Sequence, residues 1–480
     1  MAINVREADR EQLFLLPPSM MDWLPEDHLA FFILDIVEEL DLSEFYESYR
    51  DDGRGGATYD PKSMLAVLLY AYCVGERSSR RIERRLTEDI AFRVLAVNQQ
   101  PDHATLARFR ARHEEAIAGI FAQVLGMCAR AGLVRSGVVA IDGTKIEANA
   151  SAWSNRSRVE LAKEILDEVE RTDAEDDRVF GERRGDELPA EWSSRVDRRS
   201  RVREALRQLE ADGASDLESV LDNRARREAA LGRKLPGRKP GPNSRRIKTR
   251  FANTTDPDSR MLRARNRFVQ GYNAQAAVAE DQIIVAAEVT NAANDSTMLL
   301  PMTHATKDNL EHAGSASAGT FVADTGYWSA ENAEANIDSE LLISPMPVTS
   351  GLRDIDDPRI DARDELLKQV VTGTMGLSDA AKTMGVSYNW ARHLLETHRQ
   401  GRSDPALLRR EMIARLESEH GRAAYAKRKI LAEPVFGNVK ANLRFRRFSR
   451  RGMNAALSEW RLICSVHNLM KIRSRLPALA

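Results

Sequence analysis

The chain has 480 residues, 42% hydrophobic and 30% charged, a balance that excludes a mainly disordered protein. Its 71 basic and 72 acidic residues leave a net charge of −1, so bulk charge alone does not point to nucleic acid. The longest apolar run, Met64–Val74, falls short of the ~20 residues needed to span a membrane.

The opening MAINVREADREQ lacks the charged-then-apolar pattern of a secretory signal. Cys73, Cys128 and Cys464 are too scattered for a disulfide framework or a zinc pattern. A reducing, cytoplasmic location is therefore expected.

From Leu29 to about Met127 the apolar residues recur at helical spacing, in LAFFILDIVEEL, PKSMLAVLLYAYCVG and TLARFRARHEEAIAGIFAQVLGMCARAG. Polar breaks at DDGRGGATYDP and NQQPDHA separate them, and SSRRIERRL forms a basic helical stretch. Residues 1–135 are read as an all-helical domain, either a plain bundle or a DNA-contacting one.

The texture changes at Ser136. VVAID is a short β-branched strand that ends in Asp142, within a first core segment at 136–156. Residues 157–250 follow as an insertion. Up to Leu231 it is rich in Arg, Glu and Asp at helical spacing and is expected to form exposed helices. GRKLPGRKPGPNSRRIKTR then carries eight basic residues (Arg233, Lys234, Arg238, Lys239, Arg245, Arg246, Lys248 and Arg250) and no acid. It reads as a solvated linker or a phosphate-tracking arm.

Strand texture returns in 251–350. Strands are expected at Tyr272–Val278 and Gln282–Val289, joined by a hairpin turn at Glu280-Asp281. A helix at Ser296–Asn309, a strand at Thr320–Ala323 ending in Asp324, a helix at Ala330–Ile337 and a strand at Leu341–Ser344 complete an α/β order. Residues 351–420 are again helical and polar. Within them LSDAAKTMGVSYNWARHLLE has a helix-turn-helix look, with Gly385 in the turn and Ser387 capping the second helix. Two ordinary helices joined by a Gly turn would give the same pattern.

In 421–480, YAKRKILAEPVFGNVKANLRFRRFSRRG holds nine basic residues and a single acid, Glu433. Asn454–Arg475 is an amphipathic helix expected to pack back on the sheet, with His467 in its packed face.

Three carboxylates stand out. Asp142 and Asp324 end strands, where ligands gather in open α/β sheets, and Glu433 lies in a helix amid arginines. An oxygen-only set of this kind selects hard cations such as Mg²⁺. Two such ions ~3.5–4 Å apart can serve displacement at phosphorus.

Taken together, these motifs resemble the DDE transposases of bacterial insertion sequences. DGTKIEANAS, GYNAQAAV, VADTGYWS, EPVFGNVK, FRRFSRRG and EWRLICSVHNLMKI resemble successive core motifs of that family, and YDPKSMLAVLLYAYCVGERSSRRIERRL its N-terminal domain. The family's Tyr-Arg-Glu-Lys signature falls on Tyr425, Glu433 and Lys440, with either Arg428 or Lys429 in the arginine place.

The resemblance implies a ribonuclease H-like mixed sheet with flanking helices, preceded by the all-helical domain and interrupted by a large helical insertion. It implies Asp142, Asp324 and Glu433 as catalytic residues holding two Mg²⁺ ions, for which Mn²⁺ can substitute. Water-driven cleavage at terminal inverted repeats would free a 3′-OH that attacks target DNA. Tyr425, Arg428, Lys429, Lys440, Arg444, Arg446, Arg447, Arg450 and Arg451 would contact double-stranded DNA. Paired ends imply a homodimer on DNA, associated with the nucleoid and with no membrane partner. The alternative is a catalytically inactive or domesticated DNA-binding regulator derived from a transposase.

Overall fold

The computed structural model describes residues 19–49, 58–157, 160–161, 193–231, 251–264, 267–345, 359–399, 401 and 403–479, with isolated positions between 234 and 241. The expectations for residues 1–18, for 162–192 and for Arg233, Arg238, Arg245, Arg246, Lys248 and Arg250 lie outside these. Two compact units emerge, Met1–Ile120 with Arg473–Ala480, and Phe121–Ile472.

The first unit is helical. Its described helices are α1 (Leu29–Glu39), α2 (Ser43–Glu47), α3 (Pro61–Cys73), α4 (Ser79–Glu88), α5 (Ile90–Leu95) and α6 (His103–Arg112), followed by the start of α7 (Glu114–Arg130). Helix α3 begins with Pro61 at its first turn and Asp60 as its cap, and Met64–Tyr72 are all buried. The apolar run therefore makes the centre of this unit rather than a membrane span. No described helix is long and apolar enough to cross a membrane.

Two expectations change here. The stretch read as one helix from Thr105 to Gly132 is broken at His113, whose backbone leaves helical geometry (φ −106°, ψ 35°). The His113 ring is buried against Phe45, Phe109 and Tyr49, and that packing fixes the kink. The basic stretch in α4 is partly neutralised, since Arg81 pairs with Glu76 at 3.0 Å, Arg84 with Glu88 at 2.8 Å and Arg85 with Asp89 at 3.1 Å.

The second unit is α/β. Its strands are β1 (Val138–Glu147), β2 (Asn155–Ser157), β3 (Phe251–Asn253), β4 (Arg260–Ala264), β5 (Arg267–Val278), β6 (Ile284–Thr290), β7 (Thr320–Ala323) and β8 (Glu340–Ile343). The main sheet runs β4-β5-β1-β7-β8, with β6 also paired to β5, while β2 and β3 form a separate pair. β7 is parallel to β1 and β8 to β7, and β5 runs antiparallel to β1, β4 and β6. Val138–Ile141 and Thr320–Ala323 are wholly buried, as uninterrupted apolar runs in parallel strands should be.

The helices of this unit are α8 (Ser193–Leu231), α9 (Leu299–His312), α10 (Ala330–Glu334), α11 (Arg359–Val371), α12 (Leu377–Thr383), α13 (Tyr388–Arg399), α14 (Pro405–Glu417), α15 (Glu419–Ala441) and α16 (Met453–Leu479). The long α8 rests on β3 through Val202, Ala205 and Leu209 packed with Ala252, and meets β4 through an Arg260–Asp212 pair at 2.6 Å.

Helix α16 packs on the sheet, as its amphipathic pattern predicts. Trp460 donates its indole N–H to the Gln275 carbonyl at 2.8 Å, and Asn468 exchanges two bonds with the Ile284 backbone. The β5–β6 connection differs from the expected two-residue turn. It is a 3-10 turn at Glu280–Gln282 with Asp281 and Gln282 both at positive φ, so β6 starts at Ile284.

Candidate active site

The sequence places Asp142 at the end of a strand, whereas β1 continues five residues further, to Glu147. The reason lies in its two partners. Pairing with β5 holds to Glu147, but the parallel pairing with β7 stops at Ile141↔Ala323. Asp142 is therefore the first β1 residue beyond β7, and Asp324 is the first residue after β7 itself. Parallel register puts the two carboxylates at the same level on neighbouring strands, just past the last β1–β7 pair.

Each aspartate is fixed locally. Asp142 accepts the Gly143 N–H at 2.8 Å. Asp324 accepts the Gly326 N–H at 2.8 Å and so caps the short turn Thr325–Tyr327. Burial, and then the neighbouring Asp324 carboxylate, push the Asp142 pKa up to about 6, against the Gly143 N–H and the Arg428 guanidinium.

Side chains alternate along a strand, so Asp142 and Thr144 share one face of β1 while Gly143 and Lys145 share the other. Helix α15 covers the first face. Arg428 reaches Asp142 at 3.5 Å, and Lys440, twelve residues along the helix, donates to the Thr144 hydroxyl. This geometry separates the two candidates for the arginine place. Arg428 is partly buried at Asp142, whereas Lys429 is exposed. Arg428 also keeps a buried Nε with no protein partner, so a donor is left over for a further oxygen.

The second face is a polar scaffold that the sequence did not reveal. Asp295 receives Lys145 Nζ at 2.9 Å, Asn273 Nδ2 at 2.6 Å and Gln275 Nε2 at 3.0 Å. The buried Tyr327 hydroxyl donates to the Gln275 side-chain oxygen. A Cβ on Gly143 would stand 2.3 Å from Gln275 Nε2, so only glycine leaves room for this bridge. The available signal was the pair of strand motifs DGTK and GYNAQ, whose residues face each other across the β1–β5 ladder.

Beyond Thr144 the basic segment follows β1. Arg446 donates to the Lys440 carbonyl at 3.1 Å, Arg447 pairs with Glu147 at 2.8 Å, and Arg451 donates to the Asn149 carbonyl at 3.1 Å. Arg428, Lys440, Arg447 and Arg451 thus meet β1 and its extension at residues 142, 144, 147 and 149, a span of roughly 23 Å at the rise of an extended chain. The FRRF motif explains the seating. Phe445 and Phe448 are buried edge-to-face, and Phe448 also meets Tyr272, while Arg446 and Arg447 stay exposed. Arg444 is exposed at positive φ, and Arg450 and Tyr425 are partly buried.

Glu433 is not drawn into this centre. It is exposed on α15, and among the described residues no group of three His, Cys, Asp or Glu side chains stands close enough to hold a metal ion. It lies seven residues before Lys440, almost two helical turns, and so on the same flank of α15 as the lysine that reaches Thr144.

Pro434 follows directly inside the helix and cannot donate to the Ile430 carbonyl. Gln282 supplies that bond instead, through Nε2 at 3.0 Å. Its carbonyl in turn meets His467 Nε2 at 2.9 Å, and Asn438 on α15 meets His467 Nδ1 at 2.9 Å. His467 is a buried link between α15 and α16, and burial lowers its pKa to about 4, so it is neutral at pH 7.

Two family models match the chain. One, described as Transposase domain (DUF772), matches residues 18–112, and the other, Transposase DDE domain, matches residues 395–473. Together the two matches support a DDE transposase of the insertion-sequence type. The DDE match includes α15 with Glu433 and the arginine row, and the transposase-domain match includes α1 to α6. No curated protein and no solved structure matches. Enzymes of this family act on DNA and use divalent metal ions. Asp142 and Asp324 fit such an ion as a pair, because the Asp324 carboxylate helps to raise the Asp142 pKa and a cation shared by the two would offset that repulsion.

Proposed function

We propose that this transposase cuts DNA at the terminal inverted repeats of its element and joins the freed ends to target DNA. Its catalytic core would be ribonuclease H-like, a reading supported by a sheet in which β1, β7 and β8 are parallel and β5 and β6 form an antiparallel extension. The observation that carries the proposal is the Asp142–Asp324 pair, level on adjacent parallel strands and faced by Arg428 and Lys440 from one helix.

Asp142 and Asp324 would hold Mg²⁺, with Glu433 as the third ligand once α15 turns its flank toward them. Two bound ions would supply charge neutralisation at phosphorus and lower the pKa of an attacking water. The protein supplies the remaining elements. Arg428 releases Asp142 and turns its unpartnered Nε toward a phosphate oxygen. Lys440, anchored at Thr144, holds the next phosphate, and Tyr425, Lys429, Arg444, Arg446, Arg447, Arg450 and Arg451 extend the track. These contacts position the duplex without reading its sequence. The helical unit containing α1 to α6 would recognise the repeat, and a homodimer would bring two ends together.

The exposed position of Glu433 favours one second reading, an inactive DNA-binding descendant. The test is incubation of a repeat-ended duplex and a plasmid target with Mg²⁺, for wild type and Asp324→Asn. Cut ends and joined products with wild type alone support the proposal. Binding of the repeat without cutting by either protein supports the second reading.

A further inference from the structure

Between β8 and α14 the chain builds a separate small core that the cleavage chemistry does not use. Helices α11, α12 and α13 close around Leu367, Ala381, Met384 and Leu394. Ala380 and Ala391 are fully buried, which lets α12 and α13 approach closely.

Four residues, Met384–Ser387, join these two helices. Gly385 sits there at φ +65°, and a Cβ would stand 2.1 Å from the Arg359 guanidinium. The Gly385 N–H donates to the Lys382 carbonyl at 3.1 Å and the Val386 N–H to the Ala381 carbonyl at 3.0 Å, closing α12. The Ser387 hydroxyl accepts the Trp390 N–H at 3.2 Å and opens α13. His398 near the end of α13 is held by Asp364 of α11 at 3.0 Å. A short glycine turn between two closely packed helices, backed by a third, is helix-turn-helix architecture.

The outward side of α13 decides what such a unit would meet. Tyr388, Asn389 and His393 are exposed and Arg392 is partly so, all within the first two turns. The single acid of α13, Glu396, is turned inward and 4% exposed. The front of the helix therefore presents an amide, a guanidinium and two rings, with no carboxylate. In DNA-binding units of this architecture, the N-terminal residues of the second helix reach base edges in the major groove. Asn pairs with two atoms of adenine and Arg with two atoms of guanine.

We propose that residues 359–399 are a second duplex-DNA reading head, in which α13 enters the major groove and Asn389 and Arg392 contact base edges. Tyr388 and His393 flank these contacts, and Lys382 on α12 lies toward the phosphates. The inference goes beyond the cleavage proposal and does not depend on it, since a head of this kind reads DNA whether or not the carboxylates cut.

The experiment is selection of duplexes from a random-centred pool by the full-length protein at one fixed salt concentration, in parallel for wild type, Asn389→Ala/Arg392→Ala and Asp324→Asn. Wild type and Asp324→Asn are expected to enrich the same sequence. The double variant is expected to lose roughly ten- to hundredfold of the discrimination at two or more positions of it. Arg392→Lys, which keeps the charge but not the fork, should lose part of the same discrimination. It takes the place of the double variant if that protein's helical melt is altered. A photo-crosslinking residue at position 389 should label a base within the affected positions. An unchanged enriched sequence in the Asn389 and Arg392 variants, or labelling of no base, would overturn the proposal. Failure of cleavage alone would not.

Discussion

The two carboxylate-bearing regions of this transposase are built on different principles. Asp142 and Asp324 are placed by strand register, so their separation is set once β1 and β7 pair. Glu433 is placed by the rotation of a single helix, whose position depends on side-chain links, namely Gln282 to the carbonyl freed at Pro434 and His467 to Asn438. A rung of a sheet leaves little freedom, whereas a helix can turn its flank when charge between the strands calls for it. On the proposed function, the strand pair would hold the cation and the helix would complete the site.

The largest expected effect comes from breaking the strand side. Asp142→Asn should lower divalent-dependent cleavage by at least about a thousandfold while leaving duplex binding in place. The same change should stabilise the free protein. A carboxyl with a raised pKa holds its proton more tightly when folded, so stability falls as pH rises from 3.8, the ordinary aspartate value, to about 6, and the loss persists above that. Asp142→Asn should therefore recover on the order of 2–3 kcal/mol at pH 7.5 and nothing near pH 3.5. Melting curves at the two pH values check this, and an equal shift at both would count against a strained Asp142.

Next in size is the scaffold behind the aspartates. Gly143→Ala forces a methyl into Gln275 and should cost roughly 1–3 kcal/mol, read from denaturant unfolding. A neutral result would show that the Gln275–Asp295 bridge yields freely. The smallest effect is expected on the helix side. Gln282→Ala leaves the Ile430 carbonyl to water and should cost about 0.5–1.5 kcal/mol, and amide hydrogen exchange should rise first at the residues flanking Pro434. Uniform exchange along α15 would argue against a local stitch.

The same division governs what could be read from the sequence. Thr320–Ala323 was legible to the residue, because a short β-branched run between turn signals leaves one interpretation. The amphipathic face of α16 was legible for the same kind of reason, with Trp460 and Ile463 buried at helical spacing. Asp142 was found, but its place in mid-strand was not, since the end of pairing with β7 is a property of the partner. Asp295 was missed because it acts through residues on two other strands, which periodicity cannot connect. The break at His113 was missed because a ring buried by tertiary contacts overrode an unbroken helical pattern. The exposure of Glu433 was equally invisible, because spacing within a basic segment does not say how closely a helix flank is covered.

On the proposed function, Glu433, exposed in the free protein, becomes the third ligand of the Asp142–Asp324 centre. The most direct measurement is cleavage of a repeat-ended duplex titrated with Mn²⁺, with wild type beside Glu433→Gln. Wild type should cut saturably, and the variant should lose as much activity as Asp142→Asn does. Cutting by Glu433→Gln at the wild-type rate and the same Mn²⁺ midpoint would contradict that role.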